Sequence, residues 1–310
     1  LTKGNAMKRL VLSCLAGLLL CGNALAAPPA ASASGNIVLG QSLPLTGAIA
    51  EVGINYQKGI LLAFEQANAK GGINGRKIEL VSLDDGYDPK RAEENTRKLI
   101  EEKQVLALFG YVGTGTTMAS QAIAEKIGVP MIAPLTGADA LRAKPANNLY
   151  FLRASYGDEM EKIVEHQATL GIGKIALIYQ NDAFGKSAQQ SFEEAMRRHN
   201  LTPVAMIAAD PQGGDIPAAM AELARVKPMA VVLGTAGKLS TSLVKALQQS
   251  GVRPQVFGLS VMSPANLRAE LQASVAGVVM AQVVPSPNSS KHTVVRQYRA
   301  ALGDKVNEAH

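Results

Sequence analysis

The 310-residue chain has no tryptophan, two cysteines, four histidines and no apolar run of the roughly 20 residues that a membrane helix requires. Both cysteines, Cys14 and Cys21, lie near the start. There Met7-Lys8-Arg9 leads into an uncharged apolar stretch over 10–21, followed by Ala24-Leu25-Ala26, which is the order of parts in a secretory signal peptide. Residues 1–26 are read as that signal, with 1–6 an extension ahead of the initiator Met7. Leu20 stands where bacterial lipid attachment needs a small residue, which disfavours a lipoprotein cysteine at Cys21. The exported protein then has no cysteine, which excludes a disulfide framework and cysteine-based zinc sites. His166, His199, His292 and His310 show no short pairing, so neither a metal nor any other cofactor is expected.

Excess charge is also scarce. The chain carries 31 basic and 25 acidic residues. Lys3, Lys8 and Arg9 leave with the signal and no acid does, so 28 bases face 25 acids, a net charge of +3. The bases alternate with acids, as over 90–103, in the manner of a solvated helix face, and no nucleic-acid partner is implied.

What is present is a repeated alternation. Strand patterns at 37–40, 77–83, 105–109 and 129–133 are separated by helix patterns at 56–69, 89–102 and 116–126. A second series follows, with helices at 158–170, 184–199, 216–226 and 238–250 and strands at 174–179, 202–207, 230–233, 255–259 and 277–281. Strand, helix, strand at this spacing means right-handed crossovers and parallel sheets. The fold class is therefore α/β, with two doubly wound parallel-sheet lobes joined by a hinge. One lobe is expected over 36–153 plus 286–310 and the other over 154–285. A helix at 293–302 has no later strand to serve, which suggests a truncated C-terminus.

Ligands of such sheets sit beyond the carboxyl ends of the strands, where helix N-termini offer unpaired N–H groups. The loop Tyr111-Val112-Gly113-Thr114-Gly115-Thr116-Thr117 is the most suggestive, since its glycines allow close backbone approach and its threonines supply short hydroxyl donors. It suits a carboxylate; Thr114 or Thr116 could equally cap the helix. Enzyme signatures fail one by one. Met118 replaces the third glycine of a dinucleotide loop, Gln180 the first glycine of a phosphate loop ending Gly185-Lys186-Ser187, and Met262 the closing glycine of a nucleophile elbow at Ser260. Asp84-Asp85-Gly86-Tyr87-Asp88 lacks the alternation and closing glutamate of a calcium loop and reads as a strand-ending turn. No enzyme is expected.

Three segments carry a resemblance: Gly40-Gln41-Ser42-Leu43-Pro44-Leu45-Thr46-Gly47, Asn68-Ala69-Lys70-Gly71-Gly72-Ile73-Asn74-Gly75-Arg76, and Asp84-Asp85-Gly86-Tyr87-Asp88-Pro89. With them the chain from about residue 36 onward resembles the periplasmic leucine/isoleucine/valine-binding proteins of ABC transporters, the type I solute receptors. The resemblance implies a periplasmic, monomeric receptor that closes two lobes on a small carboxylate, an amino acid or another acid, and presents it to a membrane permease. It implies that Tyr111 and Thr114 hold the carboxylate with Leu135, Thr136 and Gly137. Phe184, Ala236 and Ser260 would close from the second lobe, and Glu51, beside Val52, would line the side-chain end. In the family an acid meets the ligand ammonium in the loop where this chain has Leu259-Ser260-Val261. No acid occurs there, so Asp182 or Glu51 substitutes, or the ligand has no amino group. A ligand-sensing ectodomain is the alternative role.

Overall fold

The computed structural model describes residues 35–143 and 148–303; the predicted signal peptide lies outside them, as does the chain from residue 304 onward. The first sheet contains β1 (Ile37–Leu43), β2 (Ile78–Asp84), β3 (Ala107–Phe109), β4 (Met131–Ile132) and β5 (Leu149–Tyr150), in the order β2-β1-β3-β4-β5 and parallel throughout. Helices α1 (Ala50–Ala69), α2 (Pro89–Glu101) and α3 (Thr114–Ile127) connect its strands. The second sheet contains β6 (Ile175–Gln180), β7 (Ala205–Ala209), β8 (Ala230–Gly234), β9 (Gln255–Gly258) and β10 (Val278–Met280), in the order β10-β9-β8-β6-β7, again all parallel. Its helices are α4 (Tyr156–Thr169), α5 (Ala183–Arg198), α6 (Ile216–Val226), α7 (Gly237–Gln249) and α8 (Pro264–Leu271). Helix α9 (Thr293–Leu302) returns to pack on α1.

Local sequence explains most boundaries. Asp88 accepts from the N–H groups of Lys90 and Arg91, and Pro89 follows at the position that needs no donor, so α2 starts there. Ser155 and Asp158 form a reciprocal capping box at the start of α4. Gly128, at φ 85°, ends α3 in the left-handed region. The expected strand-ending turn is present: the Asp84 carboxylate accepts from the N–H groups of Leu45, Thr46 and Gly86. The strands nearest each sheet's centre are apolar on both faces because helices cover both. All five residues of β8 are buried.

Several elements differ from expectation, β5 among them, which the strand patterns do not include. Helix α1 begins at Ala50, six residues before the expected start at Tyr56; the low helix propensity of Gly53 and Asn55 hides its first turns from the sequence pattern. Gly53 is there for packing: a Cβ would come 2.0 Å from the carbonyl oxygen of Pro44. Strand β7 begins at Ala205 rather than 202, and helix α8 was not anticipated.

Each sheet has one point where the strand order reverses, between β1 and β3 in the first and between β6 and β8 in the second. At such a point the two connecting helices leave on opposite faces and open a crevice at the carboxyl ends of the strands. The loops at these points are residues 44–49 and 110–113 in one lobe and 181–182 and 235–236 in the other.

Candidate functional site

In the first lobe, β3 is followed by Gly110 and Gly113, at φ 69° and 105°, and then by α3. Gly113 is the N-cap, and no side chain caps the helix. The threonines turn back instead: Thr116 Oγ1 donates to the Val112 carbonyl at 2.6 Å and Thr117 Oγ1 to that of Gly113 at 2.6 Å. Capping by Thr114 or Thr116 is thus overturned. The first-turn N–H groups have no acceptor within the helix and form a partial positive end. Gly113 has a steric reason to be glycine, since a Cβ would lie 2.4 Å from the Tyr87 ring.

Thr114 and Thr136 are brought together. Their hydroxyls are 2.8 Å apart, both buried, and Thr136 Oγ1 also accepts from the Ala138 N–H at 3.2 Å. The Tyr156 hydroxyl meets Thr136 and the Gly137 N–H. Gly137 must be small, because a Cβ there would strike the Tyr156 ring at 2.7 Å. Tyr111 requires correction. Its side chain is fully buried in the first lobe's core and its hydroxyl lies 2.9 Å from Thr96 Oγ1, so only its backbone is near the cleft, where its carbonyl accepts from the Leu135 N–H at 2.6 Å.

The second lobe meets this surface with helix starts of its own. Asp182 caps α5 through the Gly185 N–H at 2.9 Å. The ring of Phe184 packs at 5.2 Å from that of Tyr156. A Cβ on Gly115 would sit 3.6 Å from Cβ of Ala183, so the N-termini of α3 and α5 face each other. Ala236 precedes α7, and Gly237, at φ 58°, lies so near the first lobe that a Cβ would come 2.8 Å from the Ala48 carbonyl. The Tyr87 hydroxyl faces Asp182 across the cleft; burial, then the Asp182 charge, push its pKa well above the ordinary tyrosine range. Ile49, Val52, Leu135, Phe184, Ala236 and Val261 contribute the apolar lining, and the space between the lobes is about 20 Å³, enough for roughly one water.

The loop after β9 also needs correction, because an acid does reach it. Glu159, on α4, accepts from the Ser260 N–H at 2.7 Å and from Ser260 Oγ at 3.1 Å, and it is ion-paired with Arg153. Arg153 in turn donates to Ser260 Oγ at 3.0 Å. Burial raises the Glu159 pKa against the opposing pull of Arg153. Sequence spacing alone could not place Glu159 under a loop a hundred residues away. The available signal was an acid on the same helical stripe as Tyr156, Met160 and Ile163, all buried. The two acids named as substitutes are also engaged, Asp182 as described and Glu51 by Ser263 Oγ at 3.2 Å.

A wider groove of about 260 Å³ lies over α4 and α5. Its charged groups are all engaged, Glu161 and Glu194 with Arg198 and Asp139 with the Gly157 N–H and Ser191 Oγ, which leaves the cleft as the better candidate. Among the described residues no group of His, Cys, Asp and Glu could hold a metal ion, and no helix is long and apolar enough to cross a membrane.

The comparisons agree with this architecture. Residues 36–310 match the family model described as Periplasmic binding protein. A Leu/Ile/Val-binding protein homolog 7 from Brucella abortus (strain 2308) is 31% identical over 184 residues, covering 56% of this chain and 46% of the relative, so the chain spans about half the length of that protein. The crystal structure of a possible leucine/isoleucine/valine-binding protein from Rhodopirellula baltica SH 1 is 31% identical, with a TM-score of 0.80 over 87% of this chain and 74% of that one. A solute-binding protein of an ABC transporter from R. palustris, in complex with benzoate, shares the fold at 24% identity and a TM-score of 0.78, over 86% of this chain and 74% of that one. With its two parallel-sheet lobes and its cleft at both strand-order reversals, this chain belongs to the periplasmic binding protein family.

Proposed function

We propose that this chain is the exported receptor of an ABC transporter, taking up a small carboxylate with an apolar body and presenting it, as a monomer, to a membrane permease. The observation that carries this reading is the uncapped start of α3 beside the buried Thr114–Thr136 pair, enclosed by the rings of Tyr156 and Phe184. An anion is stabilised by free N–H groups at a helix start, and the apolar walls suit a hydrocarbon or aromatic body. The space between the lobes is too small for such a ligand, so entry requires the lobes to separate and capture requires them to close. The Glu51–Ser263 hydrogen bond joins the lobes and favours the closed form, and Tyr87 faces Asp182 across the same gap. No step of bond chemistry is required of any residue.

The ligand reading favours an acid without an amino group. Glu159, Asp182 and Glu51 each have partners already, and a buried ammonium without a counter-charge is costly. A branched-chain amino acid is the second reading, favoured by the names of relatives near 31% identity; it would need Asp182 to exchange Tyr87 for the ammonium. A thermal-shift screen tests both. A ligand at 100 times its dissociation constant adds about 2.7 kcal/mol to stability. 4-Methylvalerate is expected to raise Tm more than leucine does. The reverse order establishes the amino-acid reading, and no shift with any carboxylate refutes the proposed role.

A further inference from the structure

Arg153 lies in the segment that joins the two sheets, and its side chain is only 7% exposed. Its donors are unevenly used. Nη2 serves Glu159 and Ser260 Oγ, and Nε donates to the Ala154 carbonyl at 3.1 Å. Nη1 is buried and has no partner. A guanidinium carries five N–H groups in a fixed fork, so two of them are left over, shut off from water. The guanidinium carbon stands 5.0 Å from the centre of the Tyr156 ring, the same ring that lines the cleft. Ser260 is adjacent to Val261, another lining residue. From the first lobe, Tyr56 is close enough that burial pushes its phenol up to about 12 against the pull of the Arg153 charge.

Tyr156 relates this donor to the carboxylate end of the site. Its hydroxyl reaches Thr136 and Gly137, while the face of its ring carries Arg153. A ligand lying along that ring would have its carboxylate at the α3 end and its other end toward Nη1. The charge of Arg153 is already balanced by Glu159. A second carboxylate would therefore leave a net negative charge in a buried site, whereas a neutral oxygen would satisfy the spare N–H groups without that cost.

We infer that Arg153 is a specificity-determining binding residue, donating from Nη1 to a neutral oxygen, a carbonyl or hydroxyl, at the end of the ligand opposite its carboxylate. The transported molecules are then oxo or hydroxy acids rather than plain hydrocarbon acids. This rests on the cleft being the carboxylate site.

The test is a calorimetric titration of the exported protein with matched probes: hexanoate, 5-oxohexanoate and adipate, and benzoate with 4-hydroxybenzoate. The expected order is 5-oxohexanoate above hexanoate by about tenfold, the worth of roughly 1.4 kcal/mol, with adipate below the oxo acid and 4-hydroxybenzoate above benzoate. Arg153→Lys keeps a positive charge beside Glu159 but removes Nη1. It is expected to lower the affinity for the oxo and hydroxy acids more than that for hexanoate and benzoate, so that the preference within each pair is lost. Equal binding of each matched pair by the unaltered protein overturns the inference and leaves the carboxylate cleft standing, so the conclusion does not depend on the variant folding. Adipate binding best, or Arg153→Lys weakening both members of a pair alike, also overturns it. Binding of none of the five probes overturns both the inference and the carboxylate reading on which it rests.

Discussion

Thr136 and Thr114 contribute a hydroxyl each to one buried contact, yet replacing them should have unequal consequences. Thr136 Oγ1 is a hub: it meets Thr114 Oγ1 at 2.8 Å, accepts from the Ala138 N–H at 3.2 Å, and lies beside the Tyr156 hydroxyl. Thr136→Val strands the Thr114 hydroxyl and the Ala138 N–H, while Tyr156 keeps the Gly137 N–H. A buried polar group left without a partner costs about 1–3 kcal/mol. Two such groups, one of them bound only at 3.2 Å, amount to about 2–3 kcal/mol. Thr114→Val strands nothing completely, because Thr136 retains Ala138 and Tyr156, and its cost is about 1 kcal/mol or less. In a protein of this size 1 kcal/mol corresponds to roughly 2 °C in Tm. Thr136→Val should therefore lower Tm by about 4–6 °C and Thr114→Val by about 2 °C or less. The double variant should lose no more than Thr136→Val alone, since it removes the hydroxyl that the single change strands. Differential scanning calorimetry of the three variants decides the matter. Equal losses, or a larger loss for Thr114→Val, would refute the hub geometry. The comparison also separates fold from function, because both single variants should weaken binding of a carboxylate ligand.

Two further predictions concern the turn after β2. Burial raises the Asp85 carboxyl to about 6, with Ser42 Oγ and the Tyr87 N–H pulling it down. The folded protein thus holds this proton above the pH at which the unfolded chain, with an aspartate near about 4, releases it. The group's contribution to stability declines as pH rises from about 4 to about 6 and is level beyond that. Asp85→Asn should remove this slope, so the Tm difference between parent and variant should change across that window and stay constant from pH 6 upward; a difference that is constant from pH 4 would argue against a protonated Asp85. Separately, Tyr87→Phe removes the hydroxyl that faces Asp182 but keeps the ring against Gly113. One net hydrogen bond is worth about 0.5–1.5 kcal/mol, so ligand affinity should fall by roughly twofold to tenfold, with solution scattering showing a more open particle. Unchanged affinity would mean that this contact plays no part in closure.

Much of the protein is legible in one dimension. Parallel strands buried on both faces need apolar runs, and crossover helices need an apolar stripe, so Ile175, Leu177 and Ile178 of β6 and the inward face of α5 announce themselves locally. Capping residues such as Asp88 and Ser155 act over three or four positions and are equally readable. Local patterning thereby determined two α/β series and the loops at the carboxyl ends of their strands. It did not determine which way side chains turn in those loops. Tyr111 faces the core because Thr96, fifteen residues earlier on α2, offers its hydroxyl a partner. Thr116 and Thr117 spend their hydroxyls on carbonyls of their own turn. Glu159 meets Ser260 only because α4 lies against the carboxyl end of β9, a contact separated by 101 positions. Polar partnership at a cleft depends on distances between segments remote in the chain, and those distances are set when two sheets pack, which is why the fold was readable from the sequence while the charge pattern of the site came only from the tertiary structure.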